Sequence, residues 1–299
     1  MARRSGRATA EIPPTERRQR SCGLATGHAR IGAGALATVA REMDGARLRV
    51  CTFNIRYEGA PDRLHAWSRR RRSTAATLAD IDADIIGLQE ASDEQLKWLL
   101  GHLRAYRAVS VGRNQDLRGE RCPILFRTAA FRLVAEHTLW YADDPYRAGA
   151  RLPRASHPRI ATFARLESPK LGTTIEVVNT HLDERHAENR YRSVGLLASW
   201  VDRDVPGLVL GDFNARPGPT LQPLLDRGYV LTHPTDAGPT FHGFGRRDGD
   251  QIDHILASTD WRVHAADVRR DTPGRRLPSD HWPVVADLEL RDHGERRGP

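Results

Sequence analysis

Cysteine, methionine and aromatic side chains are all scarce in this 299-residue chain. The three cysteines, Cys22, Cys51 and Cys122, are odd in number and far apart. That argues against a disulfide framework and against a cysteine-based zinc site, and it makes a reducing cytoplasm the expected compartment. No stretch approaches the roughly 20 consecutive apolar residues of a membrane-spanning helix, so no membrane partner is expected. A Gly-rich phosphate loop, a G-x-S-x-G elbow and a C-x-x-C pair are all missing. Nucleoside-triphosphate switching, serine-esterase chemistry and thiol chemistry therefore lack their parts.

Charge is unevenly spread. The net charge is +8, but residues 1–49 hold ten arginines against four acids, so six of the eight excess charges lie there. The remaining body is close to neutral, which is weak support for a polyanionic partner. Residues 1–46 are rich in Arg, Gly, Ala, Ser and Thr, and no aromatic residue occurs before Phe53. They read as a disordered basic tail. Met43 is an alternative start, directly before the first strand-like segment, and "GHARIGAGALATVA" makes only a poor signal peptide. Residues 292–299 read as a polar tail.

Between the tails, 47–291 reads as one domain without a linker or internal repeat. Strands are expected at 47–55, 83–90, 105–112, 122–127, 131–139, 159–167, 173–180, 207–211, 251–258, 261–270 and 281–290. Helices are expected at 67–81, 92–103 and 186–201, the second opened by Ser92 as N-cap with Gln95 three residues on. The basic run Arg69–Arg72 reads as a solvated helix face, with phosphate binding as the alternative. Several strands adjoin without a helix between them. The class is therefore α/β, with two mixed sheets packed together and helices outside, rather than a pure βαβ repeat.

The informative feature is where polar residues stand. "GLVLGDFNARPG" (207–218) runs an apolar strand into Asp212 and Asn214, which share one side of an extended chain. "CTFNI" ends near Asn54, "IIGLQE" ends on Glu90, and "VVNTHLD" carries Asn179 and His181 two residues apart. "DQIDHIL" sets Asp253 in an apolar frame, and "LPSDHWPVV" puts Asp280 and His281 just before a strand. Any one of these has an ordinary explanation as a turn, a cap or a satisfied core residue. Burying six separately is costly, and a shared site in which they neutralise one another or a metal is the cheaper solution. Glu90, Asp280 and the Asn54 amide are hard oxygen donors that suit Mg²⁺ or Mn²⁺. Two histidines near carboxylates suit proton transfer and anion stabilisation. Asp212 with Asn214 suits orienting and activating a water. The inventory fits metal-assisted attack of water on a phosphoester.

The ordered series "TFNI", "LQE", "NTHLD", "GDFN", "QIDHI" and "SDHWPV" resembles the endonuclease/exonuclease/phosphatase superfamily. The resemblance implies a four-layered αββα sandwich of two mixed β-sheets flanked by helices, and Mg²⁺- or Mn²⁺-dependent hydrolysis of a phosphoester. It implies Asn54 and Glu90 as the metal-side pair and Asp280 as a further ligand or an outer carboxylate. His281, oriented by Asp253, would contact the phosphate, and Asp212 would activate water. Asn214 would position the phosphate or that acid, and His181 would lie near the leaving oxygen. "GRNQDLRGERCPILFR", "HPRIATF" and "TFHGF" resemble a bacterial branch, with Arg113, Glu120, His157 and Arg159 on the substrate side. Salt bridges in an ordinary hairpin are the alternative reading for those four.

Abasic-site endonucleases carry an Asp two residues after the first-motif asparagine, where this chain has Arg56. DNA repair is correspondingly less favoured. A monomeric phosphodiesterase or phosphomonoesterase is expected, with a nuclease acting on DNA or RNA as the alternative. A membrane-docked lipid phosphodiesterase and a non-catalytic binding module rank below these.

Overall fold

In the computed structural model the described residues are 47–246, 249–274 and 276–292. The basic tail expected over 1–46, with Cys22 and Met43, lies outside them, as does all of the 292–299 tail except Asp292.

Strand β1 (Arg47–Asn54) shows why a sandwich forms. Its alternate residues Leu48 and Val50 join one apolar cluster, while Cys51 and Phe53 join another. A strand apolar on both faces must be covered on both faces. Helix α1 (Trp67–Ile81) leads from β1 to β2 (Ile85–Gln89), which pairs parallel with it. Asp82 closes α1 in the left-handed conformation, φ 52°. Helix α2 (Asp93–His102) opens with Ser92 and Gln95 forming the expected reciprocal capping box.

The remaining strands are β3 (Tyr106–Val109), β4 (Ile124–Arg127), β5 (Arg132–Trp140), β6 (Ile160–Ser168), β7 (Thr173–His181) and β8 (Gly207–Asp212). They are followed by β9 (Tyr229–Leu231), β10 (Asp253–Ser258), β11 (Trp261–Val268) and β12 (Val284–Leu290). Helix α3 (Ala187–Trp200) lies between β7 and β8, and the short α4 (Gln222–Leu225) precedes β9. Two six-stranded sheets result, ordered β11-β12-β1-β2-β4-β3 and β5-β6-β7-β8-β10-β9. Both are mixed, with parallel pairs β1–β2 and β7–β8.

One core fills the space between the sheets, including Val50, Ile85, Val177, Leu210, Ile255 and Val284. A second covers the outer face of the β7–β8 sheet with Val194 and Leu197 of α3. A third covers the outer face of the β1–β2 sheet with Leu78 and Ile81 of α1 and Leu99 of α2. This is the expected four-layered αββα arrangement.

Three local expectations change. The strand expected over 105–112 ends at Val109, and the segment after it folds as a loop that returns at β4. The strand expected from 281 starts at Val284, because Pro283 has no N–H to donate. The basic run is not uniformly solvated: Arg69 and Arg72 are exposed, but Arg70 is 1% exposed. Among the described residues no helix is long and apolar enough to cross a membrane.

Candidate active site

Sheet register brings the polar strand ends together. His181 and Asp212 are Cα partners at the C-terminal ends of the parallel strands β7 and β8. Asp253, at the start of antiparallel β10, is the partner of Asp212 on its other side. Three adjacent strands therefore present His181, Asp212 and Asp253 in a row. In the other sheet, Asn54 ends β1 opposite Gln89 of β2, which places Glu90 next to it. Strand β12 runs antiparallel to β1, so Asp280 and His281 before its start reach the end of β1. The common edge is where open sheets gather ligand-binding loops.

Hydrogen bonds join the two sheets across this edge. The Asn54 amide Nδ2 donates to Glu90 Oε1 at 3.1 Å and to Asp212 Oδ2 at 3.0 Å. Asn54 Oδ1 accepts the Arg56 N–H at 2.9 Å, and Glu90 Oε2 accepts the Tyr57 N–H at 2.8 Å. His281 Nδ1–H donates to Asp253 Oδ2 at 2.9 Å. His281 Nε2 lies 3.9 Å, and His181 Nε2 3.5 Å, from Asp212 Oδ2. The Asn214 N–H donates to Asp212 Oδ1 at 2.9 Å, and its side chain donates to Leu182 O. The Ser279 hydroxyl donates to Asn54 O at 2.7 Å and to Asp280 Oδ1 at 3.2 Å. Asp212, Asp253 and His281 each offer a ligand-type atom within 4.8 Å of the others.

Arg56, Glu90 and Asn214 all occupy positive φ, at 56°, 60° and 49°. Non-glycine residues rarely do so, and such strain concentrates at functional sites.

The electrostatics divide the two histidines. Burial disfavours the His281 cation, but Asp253, Asp212 and Asp280 more than offset this and push the imidazole up to about 10. Burial, with Arg159 and Arg113 nearby, holds His181 well below its ordinary value. One is an imidazolium at neutral pH and the other a neutral imidazole. Burial and the neighbouring Asp253 carboxylate raise the Asp212 carboxyl. Burial, with Glu90 adding to it, also raises Asp280. Burial acts against ionised Glu90, yet the Tyr57 N–H, Arg56 and Asn54 bring it below the usual carboxylate range.

An open cavity of about 600 Å³ lies over these groups. Glu90, His181, Asp212, Asn214 and His281 line it, and so do the four expected substrate-side residues, Arg113, Glu120, His157 and Arg159. Asn54, Asp253 and Asp280 do not line it; they are buried behind the lining side chains. Glu184 and Asp250 are wall residues that the motif reading passed over, and Arg56, noted there only as a departure from the abasic-site pattern, lines the wall as well. For Glu184 the signal was present, since it lies three residues past His181 on the same strand exit. Asn179, read as another polar strand end, is not in the cavity. Its amide donates to Leu88 O and Pro123 O and accepts from Gln89, tying the sheets together below the site.

Arg56 replaces an acid by a cation beside the same carboxylates. Its Nε lies 3.1 Å from Asp62 Oδ2 and 3.6 Å from Asp280 Oδ2. Arg70 of α1 lies beneath it, with no carboxylate among the described residues within ion-pair distance. Its guanidinium donates to Ile55 O and Arg56 O on the loop after β1, to His65 O, and to Pro278 O on the loop before β12. Thr74 Oγ1 donates to the same Pro278 carbonyl at 2.7 Å. One buried side chain thus pins both loops that carry Asn54, Asp280 and His281.

Comparison with known proteins agrees with this arrangement. The family model for the Endonuclease/Exonuclease/phosphatase family matches residues 51–281. An endonuclease/exonuclease/phosphatase from Bacteroides vulgatus is 30% identical at TM-score 0.76, covering 82% of this chain and 99% of that one. The Bacteroides thetaiotaomicron mannosyl-6-phosphatase is 26% identical at TM-score 0.74, with 81% and 100% covered. D. rerio TDP2, solved with a single-strand DNA product, shares the fold at TM-score 0.65 and 13% identity, with 82% and 99% covered. A search of the curated proteins found no match. Motif order, sheet topology and family match agree, and the chain belongs to the endonuclease/exonuclease/phosphatase family.

Proposed function

We propose that the protein is a divalent-metal-dependent phosphoesterase that hydrolyses a phosphomonoester or phosphodiester by attack of an activated water. The observation that carries the reading is the convergence of the His281–Asp253 pair, Asp212 and His181 on one cavity that Glu90 also lines.

The donor set favours a hard cation. Glu90, the Asn54 amide and the neighbouring carboxylates are all oxygen donors, and Asp280 and Glu90 crowd one another electrostatically. Glu90 would hold the ion, and Asn54 would join it by turning its amide, because here its Nδ2 faces Glu90 and Asp212 and its Oδ1 accepts the Arg56 N–H. Asp280, already engaged by Ser279 and Arg56, would act from one layer further out. Bound Mg²⁺ or Mn²⁺ would supply Lewis-acid charge at the phosphoryl oxygens.

Each remaining role belongs to a protein side chain. Asp212 orients the attacking water and receives its proton, for which a raised carboxyl is better suited than an ordinary one. The Asn214 N–H fixes one Asp212 oxygen and leaves the other directed at the site. His281, held as a cation by Asp253, neutralises charge developing on the phosphoryl group. His181 is a neutral imidazole placed to hydrogen-bond the phosphoryl or leaving oxygen.

The likeness to a mannosyl-6-phosphatase supports a small phosphorylated substrate. A nuclease reading has a likeness of fold to TDP2 behind it, but the wall carries more carboxylates than guanidiniums, which suits a nucleic-acid backbone poorly. Cys51 and Cys122 are buried free thiols, which supports a reducing compartment, and we place the protein in the cytoplasm.

The test is hydrolysis of p-nitrophenyl phosphate and bis(p-nitrophenyl) phosphate with Mg²⁺, with Mn²⁺ and in EDTA, for wild type and His281→Ala. Metal-dependent cleavage that the substitution abolishes is expected. Cleavage that persists in EDTA or in the variant overturns the reading.

A further inference from the structure

The cavity wall beyond His181 is built from two ion pairs drawn from separate segments. Arg113, on the loop after β3, donates to both Glu120 oxygens at 2.8 and 2.7 Å. Arg159, just before β6, pairs with Glu184 just after β7. His157 lines the same wall within electrostatic reach of both guanidiniums. The Arg113 carbonyl accepts the Trp140 indole N–H at 2.7 Å, which fixes that loop on the second sheet.

Pairing matters more here than the arginines themselves. Each guanidinium is paired with a carboxylate, so little uncompensated charge is offered to a ligand beyond His181, which itself lies close enough to both guanidiniums to feel them. It offers N–H donors beside carboxylate acceptors. Arg159 is only 7% exposed, and its Nη1 has no acceptor among the described residues.

A neutral wall of this kind does not attract a second phosphate or a nucleic-acid backbone, both of which need uncompensated positive charge. Nor does it supply a stacking platform for a base. The cavity's aromatic rings, Tyr57 and Phe241, come from other loops, and Phe241 is already packed on His281 with centroids 4.9 Å apart. Vicinal hydroxyls suit the wall best. Each hydroxyl donates to a carboxylate and accepts from an N–H, which is the pattern the two pairs present. A buried polar wall discriminates sharply against ligands that leave its groups unpaired.

We propose that Arg113–Glu120 and Arg159–Glu184 form a hydroxyl-reading subsite, and that the substrate class is a phosphate ester of a sugar or polyol. The inference rests on the phosphoesterase reading and names the group that the enzyme releases. The phosphate lies at Asp212 and His281, and the polyol lies past His181 against the paired wall.

The experiment compares mannose 6-phosphate, glucose 6-phosphate, AMP and p-nitrophenyl phosphate as substrates with Mg²⁺, for wild type and Glu184→Gln. The same four compounds are tested for binding by thermal shift. A hexose 6-phosphate is expected to exceed AMP in kcat/KM by at least about tenfold. Glu184→Gln is expected to raise KM for the hexose phosphate about tenfold, the size of one lost charged hydrogen bond, and to change kcat less. AMP equal to or better than both hexose phosphates overturns the proposal, as does a KM that Glu184→Gln raises equally for AMP. Turnover of p-nitrophenyl phosphate without hexose preference sinks the subsite but keeps the hydrolase reading. Selective hexose phosphate binding without turnover of any compound sinks the hydrolase reading and keeps the subsite. Neither binding nor turnover overturns both.

Discussion

Asp212 and Asp253 are register partners on adjacent antiparallel strands, and both are essentially inaccessible to solvent. Two buried carboxylates side by side repel one another unless one is protonated or a cation intervenes. His281 intervenes: its Nδ1–H bonds Asp253 Oδ2, and its Nε2 lies 3.9 Å from Asp212 Oδ2. The imidazolium is therefore both part of the proposed chemistry and the counter-charge that lets the strands carry these residues.

Asp253→Asn removes the carboxylate that holds His281 as a cation while keeping the shape of the site. Activity is expected to fall roughly 10²- to 10⁴-fold, in the range of lost acid–base positioning. The melting temperature is expected to fall, because the buried His281 cation loses its hydrogen-bonded counter-charge, a loss that the relieved repulsion with Asp212 offsets only in part. Paired measurements of kcat and thermal unfolding check this. A variant that keeps near-normal kcat removes Asp253 from the mechanism.

The raised His281 value has a consequence for stability. The folded protein holds this proton more tightly than the unfolded chain, whose value is near the ordinary 6.5. The stabilisation is full below about pH 6.5 and is lost as pH rises towards about 10. The stability difference between wild type and His281→Gln, measured by urea unfolding in EDTA, should therefore shrink steadily across that window. A difference that is flat or grows with pH contradicts the assignment.

Glu90→Gln should weaken divalent-ion binding by roughly 10- to 100-fold and shift the metal dependence of turnover to higher concentration. Calorimetric titration with Mn²⁺ reads the first effect directly. An unchanged affinity excludes Glu90 from the metal shell.

Arg70→Met should be among the most damaging substitutions in the molecule although it touches no substrate. It leaves the Ile55 carbonyl without its donor and removes one of two donors from Arg56 O, which keeps the Gln95 amide, and from Pro278 O, which keeps the Thr74 hydroxyl; a buried carbonyl left unpaired costs about 1–3 kcal/mol. A loss of roughly 2–3 kcal/mol is expected in urea unfolding, with Arg70→Lys recovering only part, because an ammonium lacks the fork. A change below about 1 kcal/mol refutes the role given to this side chain.

Much of this was legible along the chain. The capping box at Ser92, the amphipathic spans of α1 and α3 and the alternation of β1 are local patterns, and local patterns survive folding. The six motifs could be recognised because each sets polar residues at the end or the start of an apolar strand. The short elements β9 and α4 were not legible, since three or four residues hold little more than one period of any pattern.

Residue identity and order determined the fold class, the longer strands and helices and the set of polar groups that would have to share a site. The sequence alone could not say that Arg70 turns inward while Arg69 and Arg72 face water, since burial depends on what packs opposite. Nor could it separate Asn179, which ties the sheets together, from His181 two residues on, which enters the cavity. Both follow from register and from the facing sheet. The opposite charge states of His181 and His281 were decided in the same way, by carboxylates and guanidiniums brought within range from distant parts of the chain.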